Sequence, residues 1–392
     1  MSASPRRRAT AIVIAVLGVA VLVGAIVAVT WWMRGSSSDG ASPAETPAVD
    51  TAYVLDRADP ADGGDDAIVR VALDGPDGSE EPVFSAPHII DFAVAASDLV
   101  VLTGVPDGAE VVSEHSLEIV SAAGGSPRPV ELPGAGTIDL LSASESGLVG
   151  FTFTSAGDPL DREYAATLMW FDPQSDAAPQ VVEGEGGAPI ETAAWLWSGD
   201  ATMLAVGSDE ELVLLDPVDN AVLESFGEWE GLEAVASDGL TAIVRDHHDT
   251  VLLGLSDASS ESRDGTPFGP TPLDERSVFG GSVQFLGDGP ERIHKIGVVD
   301  PESGRVDSMI VLDDGATPRV LYAAAEGEGI DGFSVSPDGQ LVAVEVVPNV
   351  AAMVSDAYYP YARATSIVTR FVDVATGEVV RETPGFGVEW AR

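Results

Sequence analysis

The chain has 392 residues, 45% of them hydrophobic, enough to build a core and to exclude disorder throughout. It contains no cysteine, which excludes disulfides, thiolate metal sites, a cysteine nucleophile and a lipidated-cysteine anchor. The formal charge is −45, and residues 1–50 carry none of the excess, because Arg6, Arg7, Arg8 and Arg34 outweigh Asp39, Glu45 and Asp50; so acidic a remainder repels phosphate backbones and argues against nucleic-acid binding.

Residues 1–8 form a basic N-terminus, and residues 9–33 carry no charge. Within them Ala11 to Val29 is an unbroken run of 19 apolar residues, close to the roughly 20 needed to cross about 30 Å of hydrocarbon as a helix. Three arginines precede the run and only Arg34 follows it closely, so the positive-inside rule places the N-terminus in the cytoplasm and the rest of the chain outside. Trp31 and Trp32 stand where interfacial aromatics belong. A cleaved signal peptide has a shorter apolar core, roughly 7 to 15 residues, and a small-residue cleavage site; the Trp-Trp-Met-Arg sequence at 31–34 is a poor one. The expectation is therefore a single-pass, uncleaved anchor in the cell membrane. Residues 34–50, rich in Ser, Gly, Pro and Ala, read as a flexible linker with about 22 Å of typical reach.

Residues 51–392 show no long helical periodicity. Short runs rich in Val, Ile, Leu and Phe alternate with Gly, Asp, Ser and Pro clusters, an all-β pattern. A strand, a tight turn and a second strand recur, with turns at Ser97-Asp98, Ser146-Gly147, Ser198-Gly199-Asp200, Ser237-Asp238-Gly239, Gly287-Asp288-Gly289 and Ser336-Pro337-Asp338-Gly339. Their spacing, roughly 38 to 53 residues, is that of four-stranded propeller blades. A second recurring unit, an apolar strand ending in Asp, a turn and another strand, begins at Trp170, Leu212, Ile296 and Arg370 and predicts outer hairpins. The C-terminal GFGVEW resembles an innermost strand without its three partners, and those partners are found at Ala52, Ala67 and Glu81. The count is six internal units and one composite: a β-propeller of about seven four-stranded blades, closed by the C-terminal strand and preceded by one transmembrane helix.

Ser336-Pro337-Asp338-Gly339 between GFSV and LVAVEV, followed by VDVATGEVV, resembles a blade of the TolB-like propeller proteins of bacterial envelopes. The rhythm covers most of residues 51–392, and this blade carries the full motif. The resemblance implies a propeller in the cell envelope and carries over no active-site residue, since the motif's Asp and Gly serve to make a hairpin turn.

Motifs of hydrolases, P-loops, dinucleotide sites and zinc peptidases are absent from the sequence. Asp246, His247, His248 and Asp249 are four successive metal-capable side chains, equally readable as a solvated hairpin turn. Asp59, Asp62, Asp65 and Asp66 around Gly63-Gly64 offer oxygen ligands to Ca²⁺ without EF-hand spacing, or are an acidic loop. The insertion from Pro348 to Thr365 brings Tyr358, Tyr359, Tyr361 and Arg363, residue types that dominate recognition hot spots, onto one loop, which is a partner-binding candidate or a lid on its own blade. Trp170, Trp195 and Trp197 fall in strand runs and read as packing. No catalytic residue and no cofactor is indicated, and the expectation is a binding or scaffolding module with an envelope protein partner. The alternative is an envelope enzyme or carbohydrate-binding propeller with acidic residues in its central channel.

Overall fold

The computed structural model describes residues 49–58, 64–73, 78–106, 112–121, 125–156, 166–199, 201–246, 249–255, 266–268, 273, 277–287, 291–299, 306–315, 317–354 and 364–391. The chain divides into two units, Met1–Pro47 and Ala48–Arg392. The expected membrane span at 9–33 lies outside the described residues, and among those described no helix is long and apolar enough to cross a membrane.

The second unit is seven four-stranded antiparallel sheets. In chain order the first strands are β1 (Thr51–Asp56), β2 (Asp66–Ala72) and β3 (Glu80–Ala86). Blade 1 follows as β4 (Ile89–Ala95), β5 (Asp98–Pro106), β6 (Val112–Ser121) and β7 (Arg128–Pro129). Blade 2 is β8 (Gly136–Ala143), β9 (Val149–Ser155), β10 (Thr167–Phe171) and β11 (Gln180–Val181). Blade 3 is β12 (Thr192–Ser198), β13 (Thr202–Gly207), β14 (Glu211–Asp216) and β15 (Ala221–Glu228). Blade 4 is β16 (Gly231–Val235), β17 (Thr241–Asp246), β18 (Asp249–Gly254) and β19 (Thr266–Phe268). Blade 5 is β20 (Ser277–Phe285), β21 (Arg292–Val299), β22 (Val306–Asp313) and β23 (Arg319–Ala323). Blade 6 is β24 (Gly329–Val335), β25 (Leu341–Val347), β26 (Val368–Asp373) and β27 (Val379–Pro384). The last strand, β28 (Phe386–Trp390), pairs with β1, so blade 7 has the order β28-β1-β2-β3 and joins the two ends of the domain.

The six expected turns all lie between the first and second strands of blades 1 to 6. The outer hairpins at Trp170, Leu212 and Arg370 are third-to-fourth strand connections as expected. The one at Ile296 is not: it joins β21 to β22, the second and third strands, and the outer hairpin of blade 5 turns instead near Asp313 to Gly315. An apolar strand ending in Asp looks the same at either position.

The apolar runs are continuous because second strands are buried on both faces. In β5, Val100 and Leu102 pack toward blade 2, while Leu99 and Val101 pack toward blade 7. There is accordingly no single core. Seven apolar clusters occupy the seven joints between neighbouring blades.

Polar groups lock the closing joints. The N–H of Gly387 donates to Oε1 of Glu345 at 2.7 Å, and Trp390 Nε1 donates to Ser334 Oγ at 2.8 Å, fastening β28 to blade 6. Gly385 sits at φ 106°, and a Cβ there would collide with the Leu55 carbonyl, so only glycine admits β28 to its place. Toward blade 1, buried Arg57 pairs with buried Asp66 at 2.8 Å and stands 5.2 Å above the Phe386 ring; the Ile89 N–H donates to Asp66 at 2.9 Å. The turn at Ser336 also holds the start of the domain, since Asp338 Oδ2 accepts from the Val49 N–H at 2.9 Å while Oδ1 bonds Ser336 Oγ at 2.6 Å.

Candidate functional site

In every blade the ladder between the innermost and second strands shifts register once, at Ile89/Asp91, Asp139/Ser142, Thr192/Ala194, Leu232/Ala234, Phe279/Val283, Ile330/Gly332 and, in blade 7, Tyr53/Leu55. Such bulges sharpen local twist and let innermost strands converge around an axis without filling it with paired backbone. Glu233 and Asp331 are residues skipped by the ladder, which sets a carboxylate side chain in an otherwise apolar innermost strand.

The innermost strands end in a cavity of about 630 Å³ on the face that carries the first-to-second strand turns. Blades 2 to 7 line it and blade 1 does not. Its carboxylates are Glu145 of blade 2, Glu233 of blade 4 and Glu389 of blade 7, and its aromatic walls are Trp197, Phe285, Phe333 and Trp390. No Lys, Arg or His is among the described lining residues; Arg245, outside the lining, pairs with Glu233 at 3.2 Å.

The walls are braced across blade joints. Trp197 Nε1 donates to the Ser142 carbonyl at 3.3 Å, and its ring meets Trp195 edge-on at 5.8 Å. Gln284 clasps blade 6, donating to the Phe333 carbonyl at 3.1 Å and accepting from the Val335 N–H at 2.9 Å. Of the tryptophans read as packing, Trp195 is buried between blades 2 and 3 and Trp170 with it, while Trp197 is half-buried and faces the cavity.

Asp246 and Asp249 face each other as the last ladder pair of β17 and β18, flanking the turn; His247 and His248 lie outside the described residues. Asp59 and Asp62 also lie outside them, Asp65 is exposed, and Asp66 is committed to Arg57 and the Ile89 and Ala58 amides. Among the described residues no three His, Asp or Glu side chains come together as a metal site would require. Tyr358, Tyr359, Tyr361 and Arg363 lie outside the described residues. Their loop leaves after Val354 and returns at Thr365, whose N–H donates to the Val354 carbonyl at 2.9 Å. The described ends of that connection, after β25 and before β26, lie where second strands end, which alternating strand direction puts on the face opposite the cavity.

Two further polar clusters were not anticipated. Arg370 in β26 donates to both oxygens of Glu328 at 3.0 Å and to Glu382 at 2.7 Å, and contacts the Tyr322 hydroxyl; these bonds hold the Glu328 carboxyl below its ordinary range and raise the guanidinium further. In blade 5 fully buried His294 lies 3.7 Å from buried Asp313 with Arg292 nearby, and burial lowers its pKa to about 4. Burial likewise raises the Asp139 carboxyl in β8.

No protein-family model matches the chain, and no curated protein matches it. Among solved structures it is similar to the β-propeller domain of the Trilobed protease from Pyrococcus furiosus, with 12% identity, a TM-score of 0.52, and 86% of this chain and 92% of that one covered. The likeness is one of fold. That domain is described as having an open velcro topology, whereas here β28 and β1 pair across the two ends. The β-propeller domain of Cps50 (Swd1) from Myceliophteria thermophila aligns at 13% identity over 74% of this chain and 92% of that one, with a TM-score of 0.42.

Proposed function

We propose that the protein is a non-catalytic binding or scaffolding propeller of the cell envelope, held outside the cytoplasm by its N-terminal span and resembling the TolB-like proteins. The observation that supports this best is the braced cavity, in which side chains from six blades converge. Such a concavity, mostly preformed and with a few polar groups at its rim, is the ordinary site of ligand recognition. Val49 is fastened to Asp338, in the same turn as the lining residues Ser336 and Pro337. Tyr358, Tyr359, Tyr361 and Arg363 supply further contacts for an envelope partner.

Fractionation tests the anchoring. The full-length protein stays in membranes through high-salt and alkaline washing, and protease added outside intact spheroplasts degrades the domain. A soluble protein beginning downstream of Arg34, or a domain protected from outside protease, contradicts the reading.

A further inference from the structure

Val49 and Asp50, which composition assigns to the linker, fold with the ring. The Asp50 carbonyl accepts from the Leu73 N–H at 2.7 Å, which ties the chain to the end of β2. One residue earlier, the Val49 side chain packs, like those of Leu73 and Leu341, against the apolar cluster between blades 6 and 7, and its N–H donates to Asp338 Oδ2 at 2.9 Å. The other oxygen of Asp338 builds the turn itself. Oδ1 accepts from Ser336 Oγ at 2.6 Å and from the Gln340 N–H at 3.1 Å, and Ser336 Oγ in turn accepts from the Leu341 N–H at 2.9 Å. That turn is also wall of the mouth cavity, which Ser336 and Pro337 line, and the strand leading into it is clasped from blade 5 by Gln284. One carboxylate thus holds the cavity rim with one oxygen and the entering chain with the other. In blade 4 the corresponding Asp238 accepts at 2.8 Å from Leu240, inside its own turn.

We propose that Val49 is a positioning residue for the cavity, a strap through which the chain leading to the N-terminal span governs the blade 6 rim. This concerns the regulation of the binding site proposed above and rests on that reading. In chain order a load applied from the apolar run at 11–29 meets the Val49–Asp338 bond first, the Asp50–Leu73 bond next and the β1 ladder only then. With Val49 docked, the blade 6 rim is held by blade 5 on one side and by the entering chain on the other. With Val49 released, Asp338 keeps the bonds of its own turn and the rim loses the second support. The coupling is reciprocal, so an occupant of the cavity that needs the rim in place also holds Val49 in place.

The test is hydrogen exchange, read by mass spectrometry, of the full-length protein in detergent micelles. Val49→Pro removes the N–H that Asp338 accepts, whereas Val49→Ala keeps it and trims the side chain. Val49→Pro is expected to speed exchange about tenfold at the Gly339 and Leu341 amides, which donate to the Ser336 carbonyl and Oγ, as befits the loss of one hydrogen bond to a charged group. The Gly147 and Leu148 amides, in the equivalent turn of blade 2, keep their rates, and the melting temperature falls by at most about 4 °C. Val49→Ala leaves the blade 6 amides near their wild-type rates. Recovery of an envelope partner from washed membranes falls severalfold with Val49→Pro and is unchanged with Val49→Ala. Unaltered exchange at Gly339 and Leu341, or equal acceleration in blades 2 and 6, overturns the strap, because the first denies the support and the second describes a general loss of stability. Undiminished partner recovery from a protein with a loosened rim overturns the control over binding. If the wild-type protein recovers no partner, the binding role falls, and the exchange rates alone decide whether Val49 fastens the rim.

Discussion

Deleting residues 385–392 removes β28, the one strand that joins the two ends of the domain. Phe386, Val388 and Trp390 are each less than a tenth exposed. At ~1.5–3 kcal/mol per large apolar side chain their loss costs roughly 5–9 kcal/mol. The deletion also takes the Gly387 N–H away from buried Glu345, a hydrogen bond to a charged group worth about 1.5–3 kcal/mol. Against a typical total of ~5–15 kcal/mol, the truncated domain unfolds far earlier or aggregates through the exposed edge of β1. Thermal unfolding is followed by far-UV circular dichroism, because the deletion removes a tryptophan reporter. A second truncation lacking residues 2–42, which touches none of these contacts, serves as the control and keeps full stability. If both truncations melt alike, β28 does not close the ring and the argument from burial fails.

Gly385→Ala forces a Cβ into the Leu55 carbonyl at φ 106° and costs at least ~1–3 kcal/mol, read as a lowered melting temperature; an unchanged one would mean the joint relaxes freely. Asp66→Ala removes the carboxylate that neutralises the buried Arg57 guanidinium and costs about 3–5 kcal/mol in urea unfolding, whereas the double change Arg57→Met with Asp66→Leu costs less; a double variant as damaged as the single refutes the pairing argument. His294 is buried with its folded pKa lowered to about 4, so above pH ~6.5 it is neutral in both states and its contribution is fully present. Between pH 6.5 and 4 the unfolded chain takes up a proton that the folded one refuses, and about 3 kcal/mol of stability is lost as pH falls. His294→Asn flattens that part of the stability curve, and parallel curves for the two proteins contradict the assignment.

The blades were legible because their second strands are buried on both faces and so read as continuous apolar runs, and because Ser336-Pro337-Asp338-Gly339 writes its turn in local residue choices. The closing blade was legible for the same reason, since FGVEW alternates buried and half-buried residues as a strand should. The hairpin at Ile296 was misplaced by one strand because turn chemistry does not record which pair of strands it joins. The joints were not legible at all. Glu345 meets Gly387 and Asp338 meets Val49 only once the ring has closed, and nothing in the neighbourhood of either residue in the chain announces the partner. The mouth cavity draws its residues from six blades, so no local motif could describe it. One signal was available: Glu233 and Glu389 each place a carboxylate inside an innermost strand, where burial penalises charge unless it faces an opening. The Tyr358 to Arg363 segment was conspicuous by residue type alone.

The claim that this ring is an envelope binding module is tested most directly by recovering it, with whatever it holds, from washed membranes. The full-length protein is predicted to bring down the same envelope partner reproducibly, and the variant carrying both Glu145→Gln and Glu389→Gln, with its melting temperature unchanged, to lose it. Recovery of no protein beyond that seen with residues 1–50 alone, or undiminished recovery by the double variant, would contradict the account: the first denies a binding role and the second places binding away from the cavity.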